Sequence, residues 1–187
     1  MIKKEQEKVT LSAVFQVGFS FISFVYYITY MNITLLTVGN TTDLNISSLV
    51  EQYKNRLKHY INFELVEIKD IKSKKKLSPN ELSKAEGEQI VKKLKPEDML
   101  FLLDEKGKEF SSLGFADFIQ KQMNSGIKNL VFCIGGAYGF SDEIYELAIG
   151  KISLSKMTFT HQMVRLFATE QIYRAMTILK GEKYHNE

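Results

Sequence analysis

KISLSKMTFTHQMVRLFATEQIYRAM, residues 151–176, is the stretch whose reading decides the fold. Ile152 to Ser155 alternates apolar and polar residues, as a short strand does, and Lys156 to Thr160 follows as a polar loop. From His161 the apolar residues Val164, Phe167, Ala168, Ile172, Ala175 and Leu179 recur at helical spacing, with Glu170–Arg174 as a favourable i,i+4 ion pair. A loop that feeds a helix N-terminus offers free backbone N–H groups to ligand oxygens. Ser153, Ser155, Thr158, Thr160, His161 and Arg165 all fall within this one strand–loop–helix unit. His161 and Arg165 are four apart, so the spacing projects both from one face of the first helical turns. Spacing alone reads first as an ordinary structural helix.

Upstream, from Met31, the same alternation repeats. Ile33 to Val38 predicts a buried strand that ends at Gly39-Asn40. Ser47 or Ser48 is positioned to cap a helix with Leu49, Val50, Tyr53, Leu57 and Tyr60 on its apolar face. Phe63, Leu65 and Ile68 predict a second strand. The lysine-rich connection Lys69 to Lys76 reads as a solvated loop, with an RNA-facing patch as the functional alternative. Ser78-Pro79-Asn80-Glu81 is a capping box with proline at the first helical position, opening a helix that runs to about Leu94. Met99 to Leu103 predicts a third strand, closed by a tight, solvated turn Asp104-Glu105-Lys106-Gly107-Lys108. A helix with Phe115, Phe118 and Ile119 inward stops at Gly126. Leu130 to Ile134 predicts the fourth strand, followed by the glycine-rich turn Gly135–Gly139 and a helix capped by Ser141.

This β-α-β-α-β-α-β-α-β-α order predicts an α/β fold: one domain with a parallel, helix-covered sheet. Ligands in such sheets sit beyond the C-terminal strand ends, so the ends of strands three, four and five can converge on one pocket. The turn is GGxxG and lacks an acidic residue about twenty positions on, which argues against a dinucleotide site.

The chain has 187 residues, 44% hydrophobic and 25% charged, with a net charge of +3. That is enough for one ordinary core and too little charge for a polycation, so any RNA contact must rely on local patches and shape. Cys133 excludes an internal disulfide and reads as a small buried hydrophobe. The three histidines have no zinc spacing, and no metal is expected.

Residues 1–30 differ from the rest. A charged start, MIKKEQEK, precedes an uncharged run from Leu11 to Tyr30, LSAVFQVGFSFISFVYYITY. It reads as a membrane or signal segment, or as upstream sequence placed before the true start at Met31. The run is rich in Phe, Tyr and Ser, unlike a strong spanning helix, and has no A-x-A-like cleavage site, which weakens the first two readings. The resemblance of MNITLLTVGN to a family's first strand, given next, favours the last, and so implies a domain at 31–187 with 1–30 a non-native extension or hydrophobic segment.

Four segments, MNITLLTVGN, LLDEKGKEFSS, VFCIGGAYGFS and LSKMTFTHQMVRLFATEQIYRA with a terminal YH, resemble in order the RlmH family of SPOUT-class methyltransferases. Ala137 and Thr160 stand where many members have proline. The resemblance implies a C-terminal trefoil knot that holds S-adenosylmethionine, a cytoplasmic homodimer, and transfer of methyl to N3 of a pseudouridine in 23S ribosomal RNA. It implies donor contacts at Leu103, Gly136 and the loop Ser155, Lys156, Met157, Thr158, Phe159 and Thr160. His161 and His185 become candidate proton handlers, and Arg165 a contact to an RNA phosphate or a uracil oxygen. Tyr184 and His185 become substrate contacts reaching across the dimer. The alternatives are a non-catalytic RNA- or ribosome-binding module of the same fold and, if residues 1–30 are native, a membrane-tethered protein.

Overall fold

The computed structural model describes residues 31–71 and 77–184. The segment 1–30, part of the lysine-rich connection (72–76) and His185 lie outside the described residues. Five strands, β1 (Asn32–Val38), β2 (Asn62–Ile68), β3 (Asp98–Glu109), β4 (Asn129–Ile134) and β5 (Gly150–Ser153), alternate with five helices. These are α1 (Leu44–Leu57), α2 (Pro79–Val91), α3 (Ser112–Asn124), α4 (Asp142–Leu147) and α5 (His161–Leu179). The strands form one parallel sheet in the order β2-β1-β4-β3-β5. The α/β architecture expected from the alternation is the one observed.

Each face of the sheet carries helices, which is why its central strands are nearly continuous apolar runs. On one face Ile33, Leu35, Phe132 and Ile134 pack with Leu57 of α1, Ile119 of α3 and Ile172 of α5. On the other, Leu36, Leu100, Leu102 and Cys133 pack with Ile90 of α2 and Ile144 of α4. Cys133 is buried as expected, and burial pushes its thiol well above the ordinary range. Among the described residues no helix is long and apolar enough to cross a membrane.

Local chemistry accounts for most of the helix starts. Ser78 and Glu81 form the expected capping box, with Pro79 at its predicted place. Helix α1 begins earlier than predicted: Asp43, not Ser47 or Ser48, is the cap, accepting the N–H groups of Asn45 and Ile46 at 2.9 and 3.0 Å. That start leaves Leu49 at 40% exposure, off the buried face assigned to it. Ser141 does precede α4, but its side chain makes no capping bond. The edge strand β5 begins two residues before its predicted start and ends at Ser153.

The largest departure is in β3. Residues 104–108 do not close a strand with a turn; they continue it. Leu103 and Lys108 both stand opposite Ile152 of β5, so four intervening residues bulge out of register. Gly107 makes this possible, since a Cβ there would fall 2.5 Å from the backbone N and C of Ile152. The bulge carries Asp104, Glu105 and Lys106 over the C-terminal edge of the sheet.

Candidate functional site

At that edge the loops after β4 and β5 meet the β3 bulge around a cleft of about 720 Å³. The size lies in the range of small-molecule sites. Leu103, Ile134 and Ile152 stand side by side across β3, β4 and β5, so the three strand ends are level. The floor is apolar, with Leu103, Ile134, Leu154 and Val164; the walls are the glycine turn and the loop into α5.

Each loop is held locally. In the glycine turn, the Gly139 N–H donates to the carbonyl of Gly136 at 3.1 Å. Gly139 sits at φ 76°, where a side chain would be strained. In the loop after β5, the Ser153 hydroxyl donates to the Ser155 carbonyl at 2.9 Å, and Ser155 Oγ accepts from the Met157 N–H at 2.9 Å. Thr160 caps α5 by accepting the Met163 N–H, so this departure from proline supplies a hydrogen-bonded start. Met157 lies 73% exposed on the rim.

Leu103, Gly136, Ser155, Met157, Thr158, Phe159, Thr160 and His161 all line this cleft. Lys156 is in the same loop but points its ammonium outward, 3.7 Å from Glu109. Arg165, one turn on from His161, does not line the cleft. Its side chain is fully buried, and Nη2 donates to the carbonyls of Val38 and Gly39, both at 2.9 Å. Nη1 donates to Thr41 Oγ1 at 2.9 Å and lies 3.4 Å from Glu67. Burial lowers the guanidinium's pKa against the pull of Glu67 and Asp70. Through these bonds the guanidinium ties the end of β1 to α5. Gln162 adds to the same clasp, donating to the carbonyl of Asn40 and accepting from the Thr42 N–H.

Of a second pair in the cleft, Tyr145 was passed over in the sequence and Asp104 was read as a solvated turn residue. Tyr145 of α4 donates to Asp104 Oδ2 at 2.7 Å, and Asp104 Oδ1 accepts the Lys106 N–H at 2.8 Å. Asp104 is thus a tie between bulge and helix, not merely a solvated turn residue. Burial and then the Asp104 hydrogen bond push the Tyr145 hydroxyl up to about 12. The only signal for Tyr145 was its place on a short helix following a glycine turn.

The tail is also anchored. Tyr184 is half-buried, its ring 4.9 Å from Tyr173 and its hydroxyl donating to Glu170 Oε1 at 3.1 Å. The Tyr53 hydroxyl lies 3.3 Å away, and the Arg174 guanidinium stacks 4.8 Å from the Tyr184 ring. Arg174 also grips Glu170 Oε1 through Nε at 3.0 Å and Nη2 at 2.6 Å. Glu170 and Tyr184 were not expected to meet; the ion pair Glu170–Arg174 was. Among the described residues no group of His, Cys, Asp and Glu is placed to hold a metal ion.

The family model described as "Predicted SPOUT methyltransferase" matches residues 31–185. The chain belongs to the SPOUT methyltransferase family. A Flavobacterium psychrophilum protein named Ribosomal RNA large subunit methyltransferase H is 56% identical over 157 residues, which are 84% of this chain and all of that protein. Its namesake in Cytophaga hutchinsonii is 55% identical over 156 residues, covering 83% of this chain and all of the relative. Solved structures are more distant. The SpoU methyltransferase AviRb of Streptomyces viridochromogenes, solved with AdoMet, aligns at 15% identity and TM-score 0.41, covering 80% of this chain and 58% of its own. A probable methylase family protein of Haemophilus influenzae aligns at 11% and 0.45, covering 84% and 71%. Within this SPOUT chain, then, the cleft and the anchored tail both gather chemistry-bearing side chains.

Proposed function

We propose that this chain transfers a methyl group from S-adenosylmethionine to N3 of a pseudouridine in 23S ribosomal RNA. The support is threefold: membership of the SPOUT methyltransferase family, relatives named as large-subunit ribosomal RNA methyltransferases, and the cleft at three strand ends. The cleft is the observation that carries it. Its apolar floor suits an adenine ring, while the bent loops Gly135–Gly139 and Ser155–Thr160 present backbone groups to the polar ends of such a ligand.

The donor supplies an activated methyl on a good leaving group. Leu103 would pack on the adenosine, Gly136 would allow close backbone approach, and Ser155, Lys156, Met157, Thr158, Phe159 and Thr160 would enclose the rest. What the protein must add is in-line placement of N3 and a destination for the N3 proton. His161, exposed on the cleft rim at the start of α5, is the proposed acceptor, with His185 as the other candidate. Arg165 is a positioning residue that fixes β1 against the turn carrying His161.

The substrate reading extends to the tail. Tyr184 is held on Glu170, nine residues and so about 13 Å along α5 from His161. Within one chain the last residues start far from the cleft. A second copy would bring its tail, with Tyr184 and His185, over the first copy's cleft, where an unstacked base can be met by aromatic rings. A cytoplasmic homodimer with a threaded, knotted C-terminus is the arrangement proposed. Mapping ribosomal RNA modifications by mass spectrometry tests the assignment: a strain lacking the gene should lose one methyl on one pseudouridine, and purified protein with donor should restore it. An unchanged modification map would overturn it.

A further inference from the structure

Behind the glycine turn lies a carboxyl group that the methyl transfer does not use. Glu86 of α2 is only 7% exposed, and its Oε2 has no hydrogen-bond partner. A Cβ built on Gly136 would fall 2.4 Å from Oε2 and 2.7 Å from Oε1, so the carboxyl lies directly against the backbone of the cleft wall. The next residue, Gly87, brings α2 equally close to Ser141, whose Oγ is also buried without a partner. A buried carboxyl with an unmet oxygen is costly when ionised, and native structures rarely keep one without a use.

The groups around it offer little positive charge. Asp70, after β2, is an acid, and it adds to burial in raising Glu86 above the ordinary carboxylate range. Helix α4 presents the neutral Ser141, and the turn presents backbone. Arg165 of α5 comes near Asp70, both reaching the space beside Gly39, but it is engaged by β1, Thr41 and Glu67. The proposed donor would bring positive charge to this corner. S-adenosylmethionine carries a sulfonium and an ammonium. At an effective dielectric of about 20, a unit positive charge within about 10 Å lowers a carboxyl's proton affinity roughly tenfold.

We propose that Glu86 is a positioning residue for the methyl donor: a buried carboxyl behind the Gly135–Gly139 turn whose proton is expelled, in part, when the cationic donor binds. The O–H bond of Glu86 breaks, the proton goes to solvent, and the carboxylate stays opposite the ligand's positive charge. The inference rests on the donor reading above and adds to it a linkage between affinity and pH.

Calorimetry of the full chain with S-adenosylmethionine, in buffers of different ionisation enthalpy, counts the protons released. The wild type is expected to release up to about half a proton more per donor than Glu86→Gln, a neutral variant of nearly the same shape. Its affinity should rise by about tenfold in all across the window where Glu86 titrates, while Glu86→Gln lacks that rise. The donor's own amino group contributes equally to both and cancels in the difference. Glu86→Asp should recover part of the count, and S-adenosylhomocysteine, which lacks the sulfonium, should release fewer protons from the wild type. Equal proton counts in wild type and Glu86→Gln would overturn the role of Glu86 while leaving the donor site standing. Failure of the wild type itself to bind donor would instead remove the donor assignment, and this inference with it.

Discussion

Nη2 of Arg165 lies 2.9 Å from the carbonyl oxygen of Gly39, so a residue of the last helix closes the end of the first strand. The guanidinium is fully buried and meets four groups of β1, its following loop and β2. Arg165→Ala should therefore lower folding stability by about 2 kcal/mol or more, since it takes the donor from the buried carbonyls of Val38 and Gly39, while Glu67 keeps its bonds to Thr41. Arg165→Lys should recover little, because a single ammonium cannot replace a planar fork. Chemical denaturation measures both. Unchanged stability with lost methyl transfer would return Arg165 to a direct role on the RNA.

Gly107→Ala is expected to cost about 2 kcal/mol and to weaken donor binding together with stability. Its Cβ would meet the backbone of Ile152, which cannot turn aside as a side-chain tip can. The β3 bulge would lift away from β5, taking Asp104 and Lys106 from the cleft. A thermal melt and a donor titration on the same sample check this; wild-type values in both would show that the bulge is not held by contact with β5.

Gly136→Val should abolish donor binding, but for a reason the sequence did not supply. Its Cβ meets the Glu86 carboxyl before it meets any ligand. The milder Gly136→Ala and Glu86→Ala should therefore couple in a double-mutant cycle on stability by about 1 kcal/mol or more. Additive effects would mean that the two positions do not share the space.

Stability against pH should show Glu86 directly. Its folded-state pKa is raised by burial first and Asp70 second, so its contribution is fully present below the ordinary carboxylate range and fades as pH rises through the raised value. Glu86→Gln removes that loss. The variant should melt higher than the wild type at alkaline pH, and the advantage should shrink as pH falls. A difference independent of pH would point to packing instead.

Deleting Lys183 to Glu187 should leave donor binding nearly intact and end methyl transfer. It should also cost about 1 kcal/mol of stability, because Tyr184 stacks on Tyr173 and bonds Glu170. Once subunit exchange is shown by labelling, mixing this variant with His161→Ala should restore some turnover, since one cleft of each mixed dimer has both an intact His161 and an intact tail. Full activity of the truncated protein alone would exclude the tail from the reaction.

The signals that were legible in the sequence were those that act over a few residues. Ser78-Pro79-Glu81 announced α2 because capping is local chemistry, and the stretch 151–176 announced β5, its loop and α5 because periodicity needs no neighbour. The cap of α1 was placed at Ser47 or Ser48, a turn too late, because a serine acceptor fits that pattern locally as well as the Asp43 carboxylate that caps it. Asp104 to Gly107 looks the same whether it closes a strand or bulges from one; only β5 alongside decides. The spacing of His161 and Arg165 spoke of direction, not depth. Arg165 is buried because α5 lies against α1, α3 and the sheet, a relation between distant segments. Glu86 left only a faint trace, a charged residue flanked by Ala85 and Gly87, small enough to let a helix approach closely.

The order β2-β1-β4-β3-β5 has a bearing on how the chain is made. β1 emerges from the ribosome early, yet it is an interior strand whose second neighbour, β4, is more than ninety residues behind it. Until β4 arrives, β1 and β2 are a two-stranded ribbon with an open apolar edge, and the carbonyls of Val38 and Gly39 wait longer still for Arg165. Vectorial synthesis therefore leaves the nascent chain without the cleft at its strand ends, and with an edge open to mispairing, until α5 is free. A slow late step in folding, and a need for protection during translation, follow from the strand order alone.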